Sequence, residues 1–464
     1  MTVPDFAKVR AEFALPEGFP ADALAEAAAA QAGAGRRADR TDATAVELVT
    51  IDPPGARDLD QAVGVVRRGD GFRVHYAIAD VAAAVVPDGA LDEEARRRGQ
   101  TVYLPDGNVP LHPPVLSEGT ASLLPDGPRP TVLWTFDLDA AGEPERVDVR
   151  RATVRSRAQL TYEGVQADVD RGTPHPAIAA LAELGRLRRA AAVRRGAVEL
   201  ELPEQEVVRS GGAWSVRVRR RLDVEAWNAE ISLLTGMTAA RMMLDAGVGL
   251  LRVLPAPEPN AVAELRDTAR RLGVQWPDGA SAAEVLSVLP RDTPTALALR
   301  RAATSLLRGA GYAAFGQAAP PPQQPGHGGI GAPYAHVTAP LRRLADRFGA
   351  EVCLAVAAGE DPASWLQEAL GLLPAIMSES DTRANAVARA CVDRTEAATV
   401  AGRVGEHFTA VVLRPAAAAD GTGEVYVADP PVLARCAGPL TAGEIVTVRL
   451  VAADPDTGRI EFSA

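Results

Sequence analysis

From about residue 45 the chain carries short, apolar and often β-branched runs separated by turn residues. The run AVELVTI ends at Asp52 and predicts a buried strand. QAVGVVRR and FRVHYAIAD flank a glycine turn at residues 69–71, and TVLWTFDLD and ERVDVRRATVRSR flank a second turn at 140–142. Glycine turns between such runs predict two β-hairpins. This part of the chain is therefore expected to form a sheet.

Helix-forming residues dominate the start of the chain. Residues 5–13 and 21–34 are rich in helix formers and are separated by a turn between Pro16 and Pro20. The polar connector GAGRRADRTD follows them. Residues 1–45 therefore predict a helical N-terminal segment, which is either a small helix-turn-helix element or a simple lead-in arm.

The rest of the chain divides into helical and strand-rich parts. Residues 158–200 and 222–310 have a helical period, and Thr338–Ala358 predicts a helix with Thr338 as its N-cap. Residues 316–333 are too rich in Gly and Pro for regular structure and predict a loop. The final segment contains four short strand patterns, EHFTAVVLRP, GEVYVAD, EIVTVRLVAAD and GRIEFSA. Their spacing predicts a small β-barrel of the OB type.

Composition excludes several classes of protein. The 464 residues carry a formal net charge of −11, which argues against a protein that coats duplexes nonspecifically through a basic surface. Three widely spaced cysteines without a CxxC pair predict neither a disulfide framework nor a cysteine zinc site. The N-terminus lacks a signal pattern, and no run approaches the ~18 apolar residues of a membrane span. We therefore expect a cytoplasmic protein with no membrane or disulfide partner.

The segment VTIDPPGARDLDQAV, residues 49–63, concentrates acidic residues in a short stretch. A strand delivers Asp52 to its carboxyl end, and a Pro-Pro-Gly loop brings Asp58 and Asp60 back toward it. Like charges so close together raise each other's pKa unless a cation lies among them. An all-oxygen cluster favours a hard ion, Mg²⁺ or Mn²⁺, over zinc. The alternative is that these aspartates cap turns on a solvated surface.

Other segments carry weaker signals. In YAHVTAPLRR the predicted helix places Arg342 and Arg343 in its first turns, where backbone N–H groups favour an anion. These arginines are either a phosphate clamp or a solvated pair. GHGGIG, residues 326–331, lacks the preceding strand of a dinucleotide-binding site, which favours a flexible or backbone-binding loop. The arginine runs within residues 186–195 and 217–221 are expected to form exposed faces.

Taken together, these segments resemble the ribonuclease II / ribonuclease R family through its RNB catalytic domain. The resemblance is carried, in the family's order, by VTIDPPGARDLDQAV, HYAIADVAAAVVPDGALDEEARRRGQTVYLP, NVPLHPPVLSEGTASLLP, RSRAQLTYEG, RGAVELELPE, LLRVLPAP and YAHVTAPLRRLADR. It implies an α+β fold, with an RNB-type mixed sheet surrounded by helices over residues 46–398. A small S1-like OB barrel is implied over residues 399–464, and the helical segment 1–45 stands where cold-shock domains usually lie.

The resemblance also implies a function. The family hydrolyses single-stranded RNA processively from the 3′ end with a divalent metal and releases nucleoside 5′-monophosphates. For this chain it implies Mg²⁺ or Mn²⁺ as cofactor, single-stranded RNA as partner and a monomer. The implied metal ligands are Asp52, Asp58, Asp60 and Gln61, the implied catalytic residues are Asp58, Asp60 and Arg342, and the implied RNA contacts are Tyr103, Tyr162, Glu230, Arg342 and Arg343.

Two positions depart from the family pattern. Gln61 stands where the family normally has a fourth Asp, and Leu200 stands where some members stack a Phe. We therefore expect one metal ion to be bound more weakly than in a site with four aspartates. The main alternative function is an RNB-fold protein that binds RNA without cutting it, and a second is a metal-dependent phosphoesterase for small substrates.

Overall fold

The structure, a computed structural model, describes residues 4–33, 40–125, 127–200, 204–290, 293–317, 319–417 and 421–464. Parts of the connector GAGRRADRTD and of the segment RGAVELELPE lie outside the described residues.

Helices and strands are interspersed along the chain. The first half contains α1 (Phe6–Glu12), α2 (Ala21–Gln31), β1 (Thr41–Asp42), β2 (Leu48–Asp52), β3 (Gln61–Arg68), β4 (Gly71–Ala79), α3 (Ala90–Arg98), β5 (Val102–Leu104), β6 (Gly107–Val109), β7 (Arg129–Leu138), β8 (Pro144–Val154), β9 (Ser156–Thr161), α4 (Tyr162–Asp170), α5 (Leu181–Arg194), β10 (Glu204–Ser210) and β11 (Ala213–Arg219). The second half contains α6 (Asp223–Ala246), β12 (Gly249–Val253), α7 (Pro259–Arg271), α8 (Ala282–Ser287), α9 (Pro294–Ala303), β13 (Gly311–Phe315), β14 (Gly326–His327), β15 (Ala332–Pro333), α10 (Leu344–Ala358), α11 (Ser364–Val400), β16 (His407–Arg414), β17 (Thr422–Ala428), β18 (Pro431–Ala437), β19 (Ile445–Asp454) and β20 (Arg459–Ser463).

A seven-stranded mixed sheet forms the centre of the molecule, in the order β1-β8-β7-β4-β3-β2-β9. Both predicted hairpins are confirmed, because β3 pairs antiparallel with β4 and β7 with β8. Tyr76 and Trp134 on one face are fully buried in a cluster with residues of α6 and α10. Ala77 and Leu133 on the other face pack with residues of α2 and α3. Since burial of a large apolar side chain contributes about 1.5–3 kcal/mol, the covered sheet is a firm support for its strand ends.

The N-terminal helices are confirmed, and both dock onto the rest of the protein. Asp5 caps α1 by accepting the N–H of Ala7, and α1 packs against α11. α2 packs against α3. Thr41 and Asp42, which were predicted to belong to the N-terminal segment, pair with β8 and join the central sheet.

One predicted helix began at the wrong residue. α10 starts at Leu344 and not at Thr338, so Arg342 and Arg343 precede the helix instead of occupying its first turns. The N–H groups of both arginines donate to the carbonyl of Ala339, which makes this stretch a turn. A side chain at the start of β3 also donates to the carbonyl of Thr338. The bond from β3 is a tertiary contact, and it competes with the local helical preference of this segment.

Two further patterns were interpreted incorrectly. The window 222–310, predicted as helical, contains β12, which pairs with β13. The five residues of β12, GLLRV, form a short apolar run. In a run this short, periodicity does not distinguish a strand from a helix. The predicted loop 316–333 includes the short paired strands β14 and β15.

The predicted C-terminal barrel is confirmed as a closed five-stranded barrel in the order β16-β17-β18-β20-β19. Four strands correspond to the predicted runs. The fifth, β18, was missed because inward positions such as Ala434 and Cys436 carry small side chains and give a weak apolar signal. Arg301 of α9 holds the barrel through an ion pair with Glu424 at 2.7 Å.

The three cysteines, Cys353, Cys391 and Cys436, all lie in described parts of the chain, where they are buried and not joined in a disulfide. No helix in those parts combines the length and the hydrophobicity needed to cross a bilayer.

Candidate active site

The first predicted carboxylate ends a central strand. β2 lies between β3 and β9, which buries the four residues that precede Asp52. The Asp52 Oδ2 atom is buried and has no hydrogen-bond partner among the described residues. Burial raises the pKa of Asp52 to about 6, and the charge of Asp58 contributes to the rise. An ionised carboxylate in this position requires a further positive or donor group.

A tight turn returns the chain to this strand end. A backbone hydrogen bond closes residues 53–56, and Gly55 has φ +84°, as the third residue of a type II turn requires. After the turn, Leu59 is fully buried and separates Asp58 from Asp60. The charge of Asp58 contributes to a raised pKa of Asp60, so the two carboxylates lie near each other beside the buried leucine.

Asp60 is the most deeply buried carboxylate of the group, with 5% of the residue exposed. Its Oδ1 accepts the backbone N–H of Leu341 at 2.7 Å, and its Oδ2 lies 3.5 Å from Nε of Arg342. Burial raises the pKa of Asp60 to about 8, although Arg342 opposes the rise. Arg342 alone therefore does not supply enough positive charge to stabilise the ionised form of Asp60.

This donor set fits a hard divalent cation. Burial raises the pKa values of Asp52 and Asp60, and the buried Oδ2 of Asp52 has no hydrogen-bond partner among the described residues. Over the described ranges, no three His, Cys, Asp or Glu side chains are grouped so that they could hold a metal ion by themselves. Mg²⁺ typically binds one or two protein carboxylates and completes its shell with waters and substrate phosphates. Asp52, Asp58 and Asp60, which lie close together without enclosing a site, are consistent with that mode of binding.

Gln61 connects the carboxylates to the arginine segment. Its Nε2 donates to the carbonyl of Thr338 at 2.6 Å, which leaves its amide oxygen as the acceptor. The side chain therefore offers a neutral oxygen beside Asp60, and its amide nitrogen positions the turn that precedes α10.

Two tyrosines flank the carboxylates. Tyr103 in β5 is 49% exposed, and its hydroxyl donates to Oδ2 of Asp58 at 2.7 Å. Tyr162 is the first residue of α4, whose N-cap is Thr161. Burial raises the pKa of Tyr162, and the charge of Asp52 adds to the rise. Both predicted aromatic residues thus lie at the carboxylate cluster, where a partly exposed ring can stack on a base.

The two neighbouring arginines differ in their surroundings. The Arg342 side chain is 44% exposed and directs its guanidinium toward Asp60. The Arg343 side chain is 17% exposed and donates to both carboxylate oxygens of Asp346, at 2.8 and 2.9 Å. Arg342 is therefore positioned to meet an anion, whereas the guanidinium of Arg343 is already engaged in an internal ion pair.

The structure places Glu230 away from the carboxylates. On α6, Asn228 is hydrogen-bonded to Tyr162, and Glu230 lies two residues further, about 200° around the helix axis. Glu230 lines a cavity of about 400 Å³ with Arg195, and their nearest charged atoms are 3.8 Å apart. Its contact with RNA stays a prediction that this geometry does not support directly.

Sequence reasoning missed three groups that shape the site. Asn228, a buried polar residue on a largely apolar helix face, carried a local signal that was not used. The Ser122 hydroxyl accepts the N–H of Leu59 at 3.0 Å, and the backbone N–H of Leu341 binds Asp60. These two groups had no local signal, because their partners are distant in sequence.

The arginine runs are mostly paired with neighbouring acids. Arg217 has a side chain that is 63% exposed and lies 3.5 Å from Glu206, in accord with the expected exposed face. Arg188 corrects that expectation, because it is buried and pairs with Glu143 at 2.7 Å.

Family comparisons agree with this architecture. A model described as the RNB domain matches residues 40–350, which is more than half of the chain. The chain belongs to the RNB family. A second model, described as the RNase II-type exonuclease C-terminal S1 domain, matches residues 406–464. The predicted RNB fold with a C-terminal S1-type barrel is therefore confirmed.

Curated relatives of this RNB protein are longer. Ribonuclease R of Escherichia coli (strain K12) is 34% identical over 328 residues, which cover 67% of this chain and 39% of the relative. The probable exosome complex exonuclease RRP44 of Caenorhabditis elegans is 29% identical over 324 residues, which cover 66% and 33%. The chain thus spans less than half the length of these relatives.

Solved structures share the RNB fold at low sequence identity. The apo form of Mycoplasma genitalium RNase R has a TM-score of 0.86 and 19% identity, with 99% of this chain and 77% of that chain covered. Yeast Ssd1, described as a pseudonuclease, has a TM-score of 0.68 and 18% identity, with 90% and 52% covered. Because a nuclease and a pseudonuclease share the fold, activity must be argued from the site.

Proposed function

We propose that this RNB protein is a metal-dependent 3′–5′ exoribonuclease that degrades single-stranded RNA processively to nucleoside 5′-monophosphates. The observation that carries the proposal is the convergence of Asp52, Asp58 and Asp60 beside the exposed guanidinium of Arg342. Relatives named Ribonuclease R and a structure of Mycoplasma genitalium RNase R with ribose methylated single-stranded RNA support it.

Asp52, Asp58 and Asp60, with the amide oxygen of Gln61, are the residues that would hold Mg²⁺ or Mn²⁺. Bound there, a divalent cation supplies a water activated near neutral pH and positive charge for the phosphorane-like transition state. The raised pKa values of Asp52 and Asp60 describe carboxylates that lack sufficient positive charge, which is the condition that favours cation binding.

The remaining roles belong to the chain's own residues. Arg342 lies on the turn before α10, where its exposed guanidinium can donate to the scissile phosphate and stabilise the charge that develops on it. The Leu341 N–H holds Oδ1 of Asp60, which fixes the orientation of that carboxylate. Tyr103 and Tyr162 offer ring faces for the terminal bases, a contact that tolerates any sequence. All of these groups come from one chain, which supports a monomeric enzyme.

The test is the fate of labelled RNA. A single-stranded RNA incubated with the purified chain and Mg²⁺ should release nucleoside 5′-monophosphates from its 3′ end, and EDTA should stop the release. A DNA strand of the same sequence and the Asp60→Asn variant are the matched controls. If the RNA shifts in a native gel but remains uncut with either metal, the chain is an RNA-binding protein without nuclease activity.

Two observations favour that alternative. Gln61 adds no negative charge at a position where the family normally has an aspartate, and the RNB-like fold also occurs in a pseudonuclease. The retained Asp52, Asp58 and Asp60 favour activity, because a single neutral ligand weakens a metal site without removing it.

A further inference from the structure

Helix α1 packs against the hairpin that carries Tyr103. Strands β5 and β6 have three residues each and are joined by a two-residue turn. An isolated hairpin of this size is not stable in water. The inward side chains of the hairpin are Val102, Leu104 and Val109. They are buried in one cluster with Phe6 and Val9 of α1 and Val387 of α11. The position of the hairpin therefore depends on these two helices.

An ion pair connects the turn of the hairpin to the same helix. Arg10 of α1 donates from Nη1 to Oδ2 of Asp106 at 2.9 Å and from Nη2 to Oδ1 at 2.8 Å. The two side chains are 30% and 37% exposed. A bidentate pair fixes orientation as well as distance, so Arg10 sets where the tip of the hairpin lies relative to α1.

α1 is itself attached to the body of the protein. Phe6 makes an edge contact with Trp214 of β11, with ring centroids 5.3 Å apart. Glu12, the last residue of α1, pairs with Arg394 of α11. These contacts at both ends make α1 a fixed support and not a loose arm.

The outward face of the hairpin meets the carboxylates. Side chains alternate along a strand, so Tyr103 projects away from its buried neighbours Val102 and Leu104. Its hydroxyl lies 2.7 Å from Oδ2 of Asp58. A displacement of the hairpin by about 1 Å lengthens this contact beyond hydrogen-bonding distance.

We propose that α1 is a brace that holds Tyr103 against Asp58, and that Arg10 is a positioning residue for RNA hydrolysis. Arg10 acts through the hairpin and not by touching substrate. This assigns a role to the N-terminal helical segment: it sets the geometry of a site whose carboxylates lie in another part of the chain. The effect on hydrolysis rests on the proposed function, whereas the mechanical coupling does not.

The coupling is tested first by hydrogen exchange in the metal-free 464-residue chain. Arg10→Met should accelerate exchange of the amides in residues 102–109 by about tenfold, because local opening becomes easier. Lys8→Met is the matched control, since Lys8 lies on the same helix but pairs with the exposed Asp456 of the barrel. Unchanged exchange in Arg10→Met, or equal acceleration by both variants, overturns the brace.

The second test is turnover of single-stranded RNA in two backgrounds. Arg10→Met should lower kcat about fivefold to tenfold in the wild-type background, and less than about twofold once Tyr103→Phe has removed the hydroxyl. Exchanging the charges with Arg10→Asp and Asp106→Arg together should restore most of the rate lost in either single variant. An equal loss in both backgrounds overturns Tyr103 as the route. If the wild-type chain leaves RNA intact, the proposed function fails, and the exchange result alone decides the brace.

Discussion

The RNB domain contains two groups of buried acidic residues that differ in their electrostatic surroundings. One group is paired with arginines, and the other is not fully neutralised. Asp92, in α3, is fully buried and pairs with Arg347 and with Arg96, the latter at 2.8 Å. Burial alone would raise the pKa of Asp92, but the charge of Arg347 and the surrounding hydrogen bonds lower it below its usual value. Asp346, at the start of α10, has a lowered pKa for the same reason, through Arg343.

The carboxylates of the candidate site lack such neutralisation. Asp60 is 3.5 Å from Arg342 and has a pKa raised to about 8, and Asp52 has a pKa raised to about 6. Burial of a charge is costly unless it is paired, so the fold compensates its structural acids and leaves these two short of positive charge. This shortage of positive charge lies beside the partly exposed guanidinium of Arg342, which is where we propose that a cation binds.

A raised pKa by itself does not mark a site, as Glu396 shows. This residue of α11 is buried against the barrel, where it accepts hydrogen bonds from Gln205 and from the N–H of Leu433. Burial raises its pKa to about 8. What distinguishes Asp52 and Asp60 from it is the convergence of several carboxylates with an exposed arginine.

The strongest way to break this comparison is to neutralise one acid from each group. Asp60→Asn should lower RNA turnover by about 10³-fold or more. The change removes a proposed cation ligand and also the carboxylate that lies next to the Arg342 guanidinium. The melting temperature of the metal-free protein should change little near neutral pH, because Asp60, with a pKa of about 8, is largely protonated there and Asn can still accept the Leu341 N–H. RNA affinity should change little.

The matched variant is Asp92→Asn, which leaves Arg347 buried without its partner. It should cost about 3–5 kcal/mol of unfolding free energy. Thermal unfolding and a turnover assay separate the two outcomes. Retained turnover in Asp60→Asn would remove that residue from the site, and equal destabilisation by both variants would remove the contrast between the groups.

The adjacent Arg342 and Arg343 show the same difference between a candidate site residue and a structural ion pair. Arg342→Met should lower turnover by about 10²-fold with little change in stability, because its guanidinium is partly exposed and faces the carboxylates. Arg343→Met should instead destabilise the fold by about 3–5 kcal/mol, because it leaves Asp346 unpaired. Turnover measured at a temperature where both variants remain folded separates them, and identical profiles would show that the arginines share one role.

Sequence patterns predicted the parts of the site that are local. The strand that ends at Asp52, the turn at Gly55 and the return of Asp58 and Asp60 lie within nine residues, where strand period and turn chemistry are sufficient. The predicted hairpins of the sheet are right for the same reason. Assignment of Tyr103 and Tyr162 to the site depended on family resemblance, since nothing in their spacing connects them to the carboxylates.

The incorrect parts are those set by distant contacts. The segment before α10 reads as helix in isolation, but Leu341 donates to Asp60, 281 positions away, and Thr338 accepts from Gln61, 277 positions away. These bonds make the segment a turn and separate the surroundings of Arg342 from those of Arg343. Local propensity is a weak prior when tertiary hydrogen bonds compete with it.

Glu396 sharpens the comparison through the pH dependence of stability. The pKa of Glu396 is about 8 in the folded chain, against an ordinary value of 4.5. Between pH 4.5 and pH 8, the folded state therefore keeps a proton on Glu396 that the unfolded state has lost. Stability should therefore fall as pH rises from about 4.5 to about 8, by up to about 4 kcal/mol from this group. Glu396→Gln mimics the protonated form and should flatten the curve. Urea unfolding at pH 5.5 and pH 8 measures the difference, and parallel curves for both proteins would contradict this.

The smallest expected effect comes from adding charge to the deficient group. Gln61→Asp should lower the Mg²⁺ concentration needed for half-maximal turnover by about threefold to tenfold, because a fourth carboxylate increases the attraction for the cation. It should also cost about 1 kcal/mol of stability through loss of the hydrogen bond to Thr338.

Gln61→Asn separates these two consequences of the change at position 61. It shortens the side chain to the same length as Asp and disturbs the same contact with Thr338, but it adds no charge. If Asp and Asn at this position give the same Mg²⁺ midpoint, position 61 does not contact the cation, and the metal site ends at Asp60. If Asp tightens metal binding and Asn does not, the negative charge at position 61 controls the affinity for the cation. The neutral Gln61 then keeps that affinity low.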